Sequence, residues 1–236
     1  MVTLRRPEEI ARVIDHAILH PAIRSGDLEM GLDLVREFNV WAVCVKPCDV
    51  RAAAKRLENT DTVVCSVVAF PHGNSLPAIK VLEAERALED GAKEIDFVVN
   101  IAQAMAGDFE SIRREMGAMH EIALAHRATL KVIFENVYLD DTTKMRLCKI
   151  AKSLAVEFVK TSTGFASGVD PQNSTGASIH DVELMVRECS PICRVKASGG
   201  IRSLEKLERF LDAGASRIGT SSTREIIAQA RQRLSE

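Results

Sequence analysis

No two of the six cysteines are spaced as CxxC, and none is matched by a nearby HxxxH-type pair, which argues against a zinc site. The N-terminal stretch MVTLRRPEEIARVIDH has two arginines but no apolar run behind them, so it does not read as a secretory signal. Cys44, Cys48, Cys65, Cys148, Cys189 and Cys193 are therefore expected to be reduced thiols rather than a disulfide framework. No apolar stretch is long enough to span a bilayer. An excess of one charge is also missing. The chain has 31 Lys+Arg against 33 Asp+Glu, a net charge of -2, which gives no basic footprint for nucleic acid and no acidic tail. No GxGxxG follows the first apolar run, which weighs against an open, doubly wound dinucleotide fold. No Pro/Gly/Ser linker, internal repeat or low-complexity segment divides the sequence. The expectation is a soluble, cytoplasmic protein with one domain over residues 1–236.

Hydrophobic residues make up 46% of the chain and are distributed as short apolar runs between amphipathic stretches. The runs predict strands at Trp41–Lys46, Thr62–Phe70, Glu94–Asn100, Leu130–Glu135, Glu157–Thr161, Ile192–Ser198 and Ser216–Thr220. A short strand at Asp15–Leu19 brings the count to about eight. Between them, helical spacing places Ile112, Met116, Met119 and Ala123 on one face, with Arg113, Arg114 and Glu115 elsewhere. Leu147, Cys148, Ala151 and Leu154 repeat the pattern, as do Ile226, Ala230 and Leu234. Strand–helix alternation with eight strands predicts a (β/α)8 TIM barrel. His16, His20 and His72 fall near strand ends and read as pocket or core residues. His120, His126 and His180 fall on helices and are expected to be solvated. One loop stands out, Ala166–Ala177 (ASGVDPQNSTGA), expected to be irregular and to lie on the catalytic face.

In a barrel, the C-terminal ends of the strands carry the site. Lys160 and Lys196 sit late in two successive strands, where lysine is rare unless paired. Two readings stand. Mutual repulsion releases a proton from one lysine and makes it a nucleophile, or both pair with carboxylates in a buried salt-bridge network. Asp96, in the run EIDFV, is the available carboxylate for either role, as proton relay or as ion-pair partner. Ser198–Ser203 (SGGIRS) and Gly219–Thr223 (GTSST) each follow a strand and precede a helix. Such turns suit a phosphate, through backbone N–H groups and the positive end of the helix. Either alone also reads as a tight turn; the pair falls where barrels commonly bind phosphate.

At this point the motifs converge. DHAIL (Asp15–Leu19), AVCVKP (Ala42–Pro47), AFPHG (Ala69–Gly73), GAKEIDFVVN (Gly91–Asn100), FVKTSTGF (Phe158–Phe165), VKASGGIR (Val195–Arg202) and RIGTSS (Arg217–Ser222) together resemble the deoxyribose-phosphate aldolases. The resemblance runs from the first strand to the last helix. It implies a class I aldolase with no metal and no cofactor, cleaving 2-deoxyribose 5-phosphate to acetaldehyde and glyceraldehyde 3-phosphate. It implies Lys160 as the Schiff-base lysine, Lys196 as the neighbour that lowers its pKa, and Asp96 as the proton relay. It also implies Asp15, Cys44 and Thr163 in the substrate pocket and Gly164, Gly199, Gly200, Gly219, Ser221 and Ser222 around the phosphate. A homo-oligomer, dimer or tetramer, is left open. Three departures from the pattern stand out: Lys46 beside Cys44, pointing either into the pocket or to the rim; Phe165 where some members have a phosphate-binding lysine; and the long loop. Two alternatives remain: a lysine aldolase for another sugar phosphate, and a non-catalytic barrel that binds phosphorylated metabolites.

Overall fold

The computed structural model describes residues 6–168 and 176–235. Eight parallel strands close into a barrel in chain order: β1 (Ile14–Ile18), β2 (Ala42–Val45), β3 (Val63–Val68), β4 (Glu94–Val98), β5 (Thr129–Ile133), β6 (Phe158–Lys160), β7 (Arg194–Ser198) and β8 (Arg217–Thr220). The (β/α)8 architecture expected from the alternation is the one observed. The helices are α1 (Pro7–Ala11), α2 (Ser25–Phe38), α3 (Val50–Arg56), α4 (Pro77–Glu89), α5 (Ile101–Met105), α6 (Phe109–Ala125), α7 (Asp141–Ser153), α8 (Ile179–Cys189), α9 (Leu204–Asp212) and α10 (Thr223–Arg233). None of the described helices is long and apolar enough to cross a membrane. Of the loop expected at Ala166–Ala177, residues 169–175 lie outside the described residues.

Each predicted strand is present; β1 keeps its length but starts one residue earlier, and the other seven are shorter by one to three residues. The β3 run stops at Val68 because Ala69 turns into the left-handed region, at φ 53°, with its N–H donating to Glu83 Oε2 at 2.8 Å. Residues alternate between the two faces of each strand, and both faces are covered, so the strands read as nearly continuous apolar runs. Outward-facing Ile14, Val43, Val64, Ile95, Val132 and Ile218 join the helices in one large apolar layer. A much smaller apolar group, Leu19, Cys44, Cys65 and Val67, lies elsewhere.

The helices dock by narrow apolar stripes. On α9, Leu204, Leu207, Phe210 and Leu211 are buried, spaced i, i+3, i+6, i+7. Burial of each such side chain is worth about 1.5–3 kcal/mol. Side-chain oxygens cap several helix starts: Ser203 accepts from Lys206 N–H, Asp140 from Thr143 N–H and Ser178 from Asp181 N–H. The predicted faces of α6 and α7 pack as expected, with Ile112, Met116, Met119 and Ala123 all buried.

Three expectations are corrected. Glu115 is buried rather than on the polar face of α6, because its carboxylate meets Lys80 Nζ at 2.6 Å on α4 and accepts from Asn100 N–H at 3.1 Å. Leu234 is exposed, because α10 ends one residue before it. His120 is half-buried rather than solvated, with its ring 4.0 Å from Glu157.

His16 faces outward from β1 into the contact with α10, where Nδ1 and Thr223 Oγ1 share a hydrogen bond at 2.9 Å. Burial pushes its pKa down to about 4. The unfolded chain, with an ordinary imidazole near pH 6.5, therefore takes up a proton that the folded chain refuses. Stability should fall as pH drops from about 6.5 to about 4, by about 3 kcal/mol from this group. In His16→Gln the same window should be flatter by that amount. Urea unfolding across it checks this, and identical slopes in the two proteins would refute it.

Candidate active site

The barrel interior is charged rather than apolar. The inward positions carry Asp15 on β1, Glu94 and Asp96 on β4, Lys131 on β5, Lys160 on β6, Lys196 on β7 and Arg217 on β8, all buried. The parallel register sets them side by side: Lys160 is the partner of Lys196, and Asp96 of Lys131. Asp96 is the hub. Its Oδ2 lies 2.7 Å from both Lys160 Nζ and Lys196 Nζ. Its Oδ1 accepts from Lys131 Nζ at 2.9 Å and from Cys65 Sγ at 3.1 Å. Lys196 also reaches Asp15 Oδ2 at 2.5 Å, and Lys131 reaches Glu94 Oε2 at 2.5 Å. Below them Arg217 bridges Asp15 and Glu94, and its guanidinium stacks 4.7 Å from the Trp41 ring and 5.7 Å from Phe158.

Burial opposes the ionised forms of Asp15, Asp96, Lys131, Lys196 and Arg217, yet the pairing wins at each. Lys131, Lys160 and Lys196 hold Asp96 well below the ordinary carboxylate range. Asp15 is held at about 2, against its burial, by Lys196, Arg217 and Lys131. Lys196 is raised by Asp15 and Asp96, and Lys131 is raised well above the ordinary range by Asp96 and Glu94. The Cys44 thiol is lowered by its hydrogen bond with Cys65 and by Lys196, whose Nζ lies 3.4 Å from Cys44 Sγ. Cys44, Cys65 and Asp96 stand close enough to offer a metal three ligand atoms. They do not fit one, because Lys196 and Lys131 already put ammonium groups on those same atoms. At the other such group, Asp141, His180 and Asp181, Lys144 sits 2.6 Å from Asp181 and 3.2 Å from Asp141.

Above this network, a cavity of about 370 Å³ opens at the C-terminal end of the strands. Asp15, Cys44, Lys160, Thr163 and Lys196 line its floor and walls, and Gly164, Gly199, Gly200, Gly219 and Ser221 line one side. Gly164 follows β6, Gly199 and Gly200 lie in the turn that leads into α9, and Gly219 and Ser221 span the end of β8 and the turn into α10. Gly199 has φ 92°, and a Cβ there would lie 2.6 Å from Gly176 Cα. A Cβ at Gly219 would lie 2.8 Å from Ser198 Cβ and 3.3 Å from Lys196 Cε, so that glycine leaves room for the lysine. Thr163 is fixed by Glu135, which accepts from its N–H at 3.1 Å and from its hydroxyl. Phe165 closes one side of the cavity and packs edge-on against Phe70, with ring centroids 5.4 Å apart at 78°. A contact of that kind contributes about 0.5–1.5 kcal/mol.

Residues 10–229 match the family model described as DeoC/LacD family aldolase. A deoxyribose-phosphate aldolase of Rhodopirellula baltica is 40% identical over 226 residues, which cover 96% of this chain and 91% of that protein. One of Thermococcus kodakarensis is 41% identical over 224 residues, 94% of this chain and 97% of that one. This chain belongs to the DeoC/LacD aldolases. It is by that membership an enzyme, a carbon–carbon lyase. The fold agrees: a solved deoxyribose phosphate aldolase of Aeropyrum pernix, described as tetrameric, superposes with a TM-score of 0.86 at 28% identity, covering 96% of this chain and 93% of that one.

The residues singled out from the sequence converge on this one face, with two differences in placement. Asp96 does not reach the cavity surface but lies fully buried beneath both lysines. Ser222 stands behind the lining as the residue before α10, its N–H on Thr220 Oγ1 at 2.9 Å. Lys46 takes the rim reading: it is half-buried after β2, and its Nζ pairs with Asp49 at 3.3 Å. Of the histidines placed near strand ends, His20 lines the cavity. Sequence reading missed Lys131, Glu94, Arg217, Cys65 and Glu135. The signal was present for three of them: a charged residue on the inward side of an alternating apolar strand, as in TLKVI, EIDFV and RIGT.

Lys131 is fully buried and is the contact shared by Glu94 and Asp96. Lys131→Met takes one buried ion pair from each carboxylate and should cost about 3–5 kcal/mol of stability, measured by urea unfolding. A loss below about 1 kcal/mol would show that the network does not depend on it.

Proposed function

We propose that this chain cleaves 2-deoxyribose 5-phosphate to acetaldehyde and glyceraldehyde 3-phosphate through an imine on Lys160, as one catalytic domain in the cytoplasm. One observation carries the proposal. Four cations, Lys131, Lys160, Lys196 and Arg217, share the interior with three carboxylates, Asp15, Glu94 and Asp96. Lys196 and Arg217 each touch two carboxylates and Lys131 touches three; Lys160 touches one oxygen, Asp96 Oδ2, and shares it with Lys196. Lys160 is therefore the least paired of the four, and it opens into the cavity. That is the arrangement an amine nucleophile requires.

In the reaction so read, the neutral Lys160 nitrogen adds to the sugar's C1 carbonyl and water leaves, giving an iminium. The C3 hydroxyl then loses its proton and the C2–C3 bond breaks. Its electron pair flows to the iminium and leaves an enamine on Lys160. Glyceraldehyde 3-phosphate departs; protonation of the enamine carbon and attack by water release acetaldehyde and restore the amine. Asp96, 2.7 Å from both ammonium groups, is placed to pass protons between them. Gly164, Gly199, Gly200, Gly219 and Ser221 seat the phosphate at the helix starts, with Ser222 behind them. That remote contact positions the sugar so that the breaking bond stands over Lys160. The curated relatives named deoxyribose-phosphate aldolase support the choice of substrate.

Borohydride added with the sugar phosphate should reduce the imine and leave a covalent adduct that peptide mass spectrometry maps to Lys160. An adduct confined to Lys196 or Lys46 overturns the assignment, and no adduct favours a barrel that only binds phosphorylated metabolites.

Lys196 holds a positive charge beside Lys160, and its removal allows the nucleophile to keep its proton to higher pH. Lys196→Leu should therefore move the acid limb of the kcat/KM profile upward, with about a tenfold loss at neutral pH for each unit moved. An unmoved profile with full activity contradicts the coupling.

A further inference from the structure

A second cavity, of about 290 Å³, opens on the same face next to the first. Pro71, Ile101, Ala102 and Met105 form its apolar walls, and His72, Asn74, Asn100, Glu135 and Tyr138 form its polar side. Among the described residues, no lysine or arginine lines it, whereas the first cavity has Lys160, Lys196 and Arg202. Glu135 has its oxygens turned to Thr163, accepting from Thr163 N–H and Thr163 Oγ1. A phosphate would meet a carboxylate there and neither lysine nor arginine to offset it. The molecule that fits is small and uncharged.

The two cavities share Phe165. Phe70, edge-on to Phe165, stands 6.0 Å from Lys160 Nζ, and its neighbour Pro71 lines the second cavity. Turning either ring breaks no hydrogen bond and no ion pair. We infer that the second cavity is the port by which the uncharged two-carbon aldehyde reaches and leaves Lys160, with the Phe70–Phe165 pair as its gate. The inference rests on the imine chemistry proposed above. In that chemistry the phosphorylated fragment leaves first and the two-carbon fragment stays bound to Lys160. A separate port lets the small fragment depart, or enter for the reverse reaction, while the phosphate seat is occupied.

Ala102 and Met105 lie on α5 at the far, exposed side of this cavity and touch neither lysine nor phosphate seat. Ala102→Trp should fill it from outside. The measurement is the rate at which acetaldehyde and borohydride label Lys160, with and without saturating glycerol 3-phosphate, which has the phosphate and three carbons but no carbonyl. In the parent, glycerol 3-phosphate should slow labelling by less than about twofold, because the port stays open. In Ala102→Trp it should slow labelling about tenfold, while labelling in its absence stays near the parent's rate. Met105→Trp replaces it if the first variant does not fold. Equal labelling of variant and parent under glycerol 3-phosphate overturns the port, as does complete protection of the parent by glycerol 3-phosphate alone. If acetaldehyde never labels Lys160 in the parent, the imine reading itself fails and this inference falls with it.

Discussion

One carboxylate, Asp96, is clamped by three lysines inside a closed sheet, and the rest of the molecule is arranged around that fact. Bringing so many charges out of water is unfavourable unless each finds a partner at contact distance. Asp15 and Glu94 extend the clamp to Arg217, whose guanidinium lies against Trp41 and Phe158. The result is a polar plug filling the barrel where hydrocarbon would ordinarily pack. Stability comes instead from the outer layer, where the outward faces of the strands meet the amphipathic helices.

That division of labour explains how a lysine can be held in place inside the barrel. Lys160 is fixed by β6 on one side and by Asp96 below, so its nitrogen has little freedom. The outer layer does not depend on its charge. A second buried pair, Lys80 with Glu115, does comparable work outside the barrel: Lys80 also donates to Val98 O at 2.8 Å, and Glu115 accepts from Asn100 N–H. Together they tie α4 and α6 to the end of β4, the strand that bears Asp96. Burial weakens both charges of that pair, pushing Lys80 down and Glu115 up, so it acts to fix geometry more than to add stability.

Phe165 gives the site its individual character. Its ring lines the first cavity and builds an aromatic wall with Phe70. The same wall separates a cavity lined by lysine and arginine from one that has neither among the described residues, and so sorts the phosphorylated and unphosphorylated halves of one substrate in the chemistry proposed here. The turn that follows is anchored by Tyr138, whose hydroxyl donates to Ser167 O at 2.6 Å and accepts from Ser167 N–H at 2.8 Å.

The sequence by itself determined the barrel, because strand and helix periods alternate eight times and each apolar run is short, β-branched and followed by a polar turn. It also determined which residues stand at strand ends, so Lys160, Lys196 and the two glycine turns were legible as chemistry. It could not show Lys131, Arg217, Glu94 and Glu135 as parts of the same site, since each is one charged residue in its own strand or turn. Nor could periodicity decide that Glu115 is buried or that Lys46 turns to the rim, because both depend on a partner, Lys80 and Asp49 respectively. Closure of the sheet decided the first of these matters, and packing of α4 on α6 and the turn after β2 decided the other two. Parallel register set Lys160 beside Lys196 and Asp96 beside Lys131, and closure brought β1 against β8, so that residues up to about two hundred positions apart share one low-dielectric space.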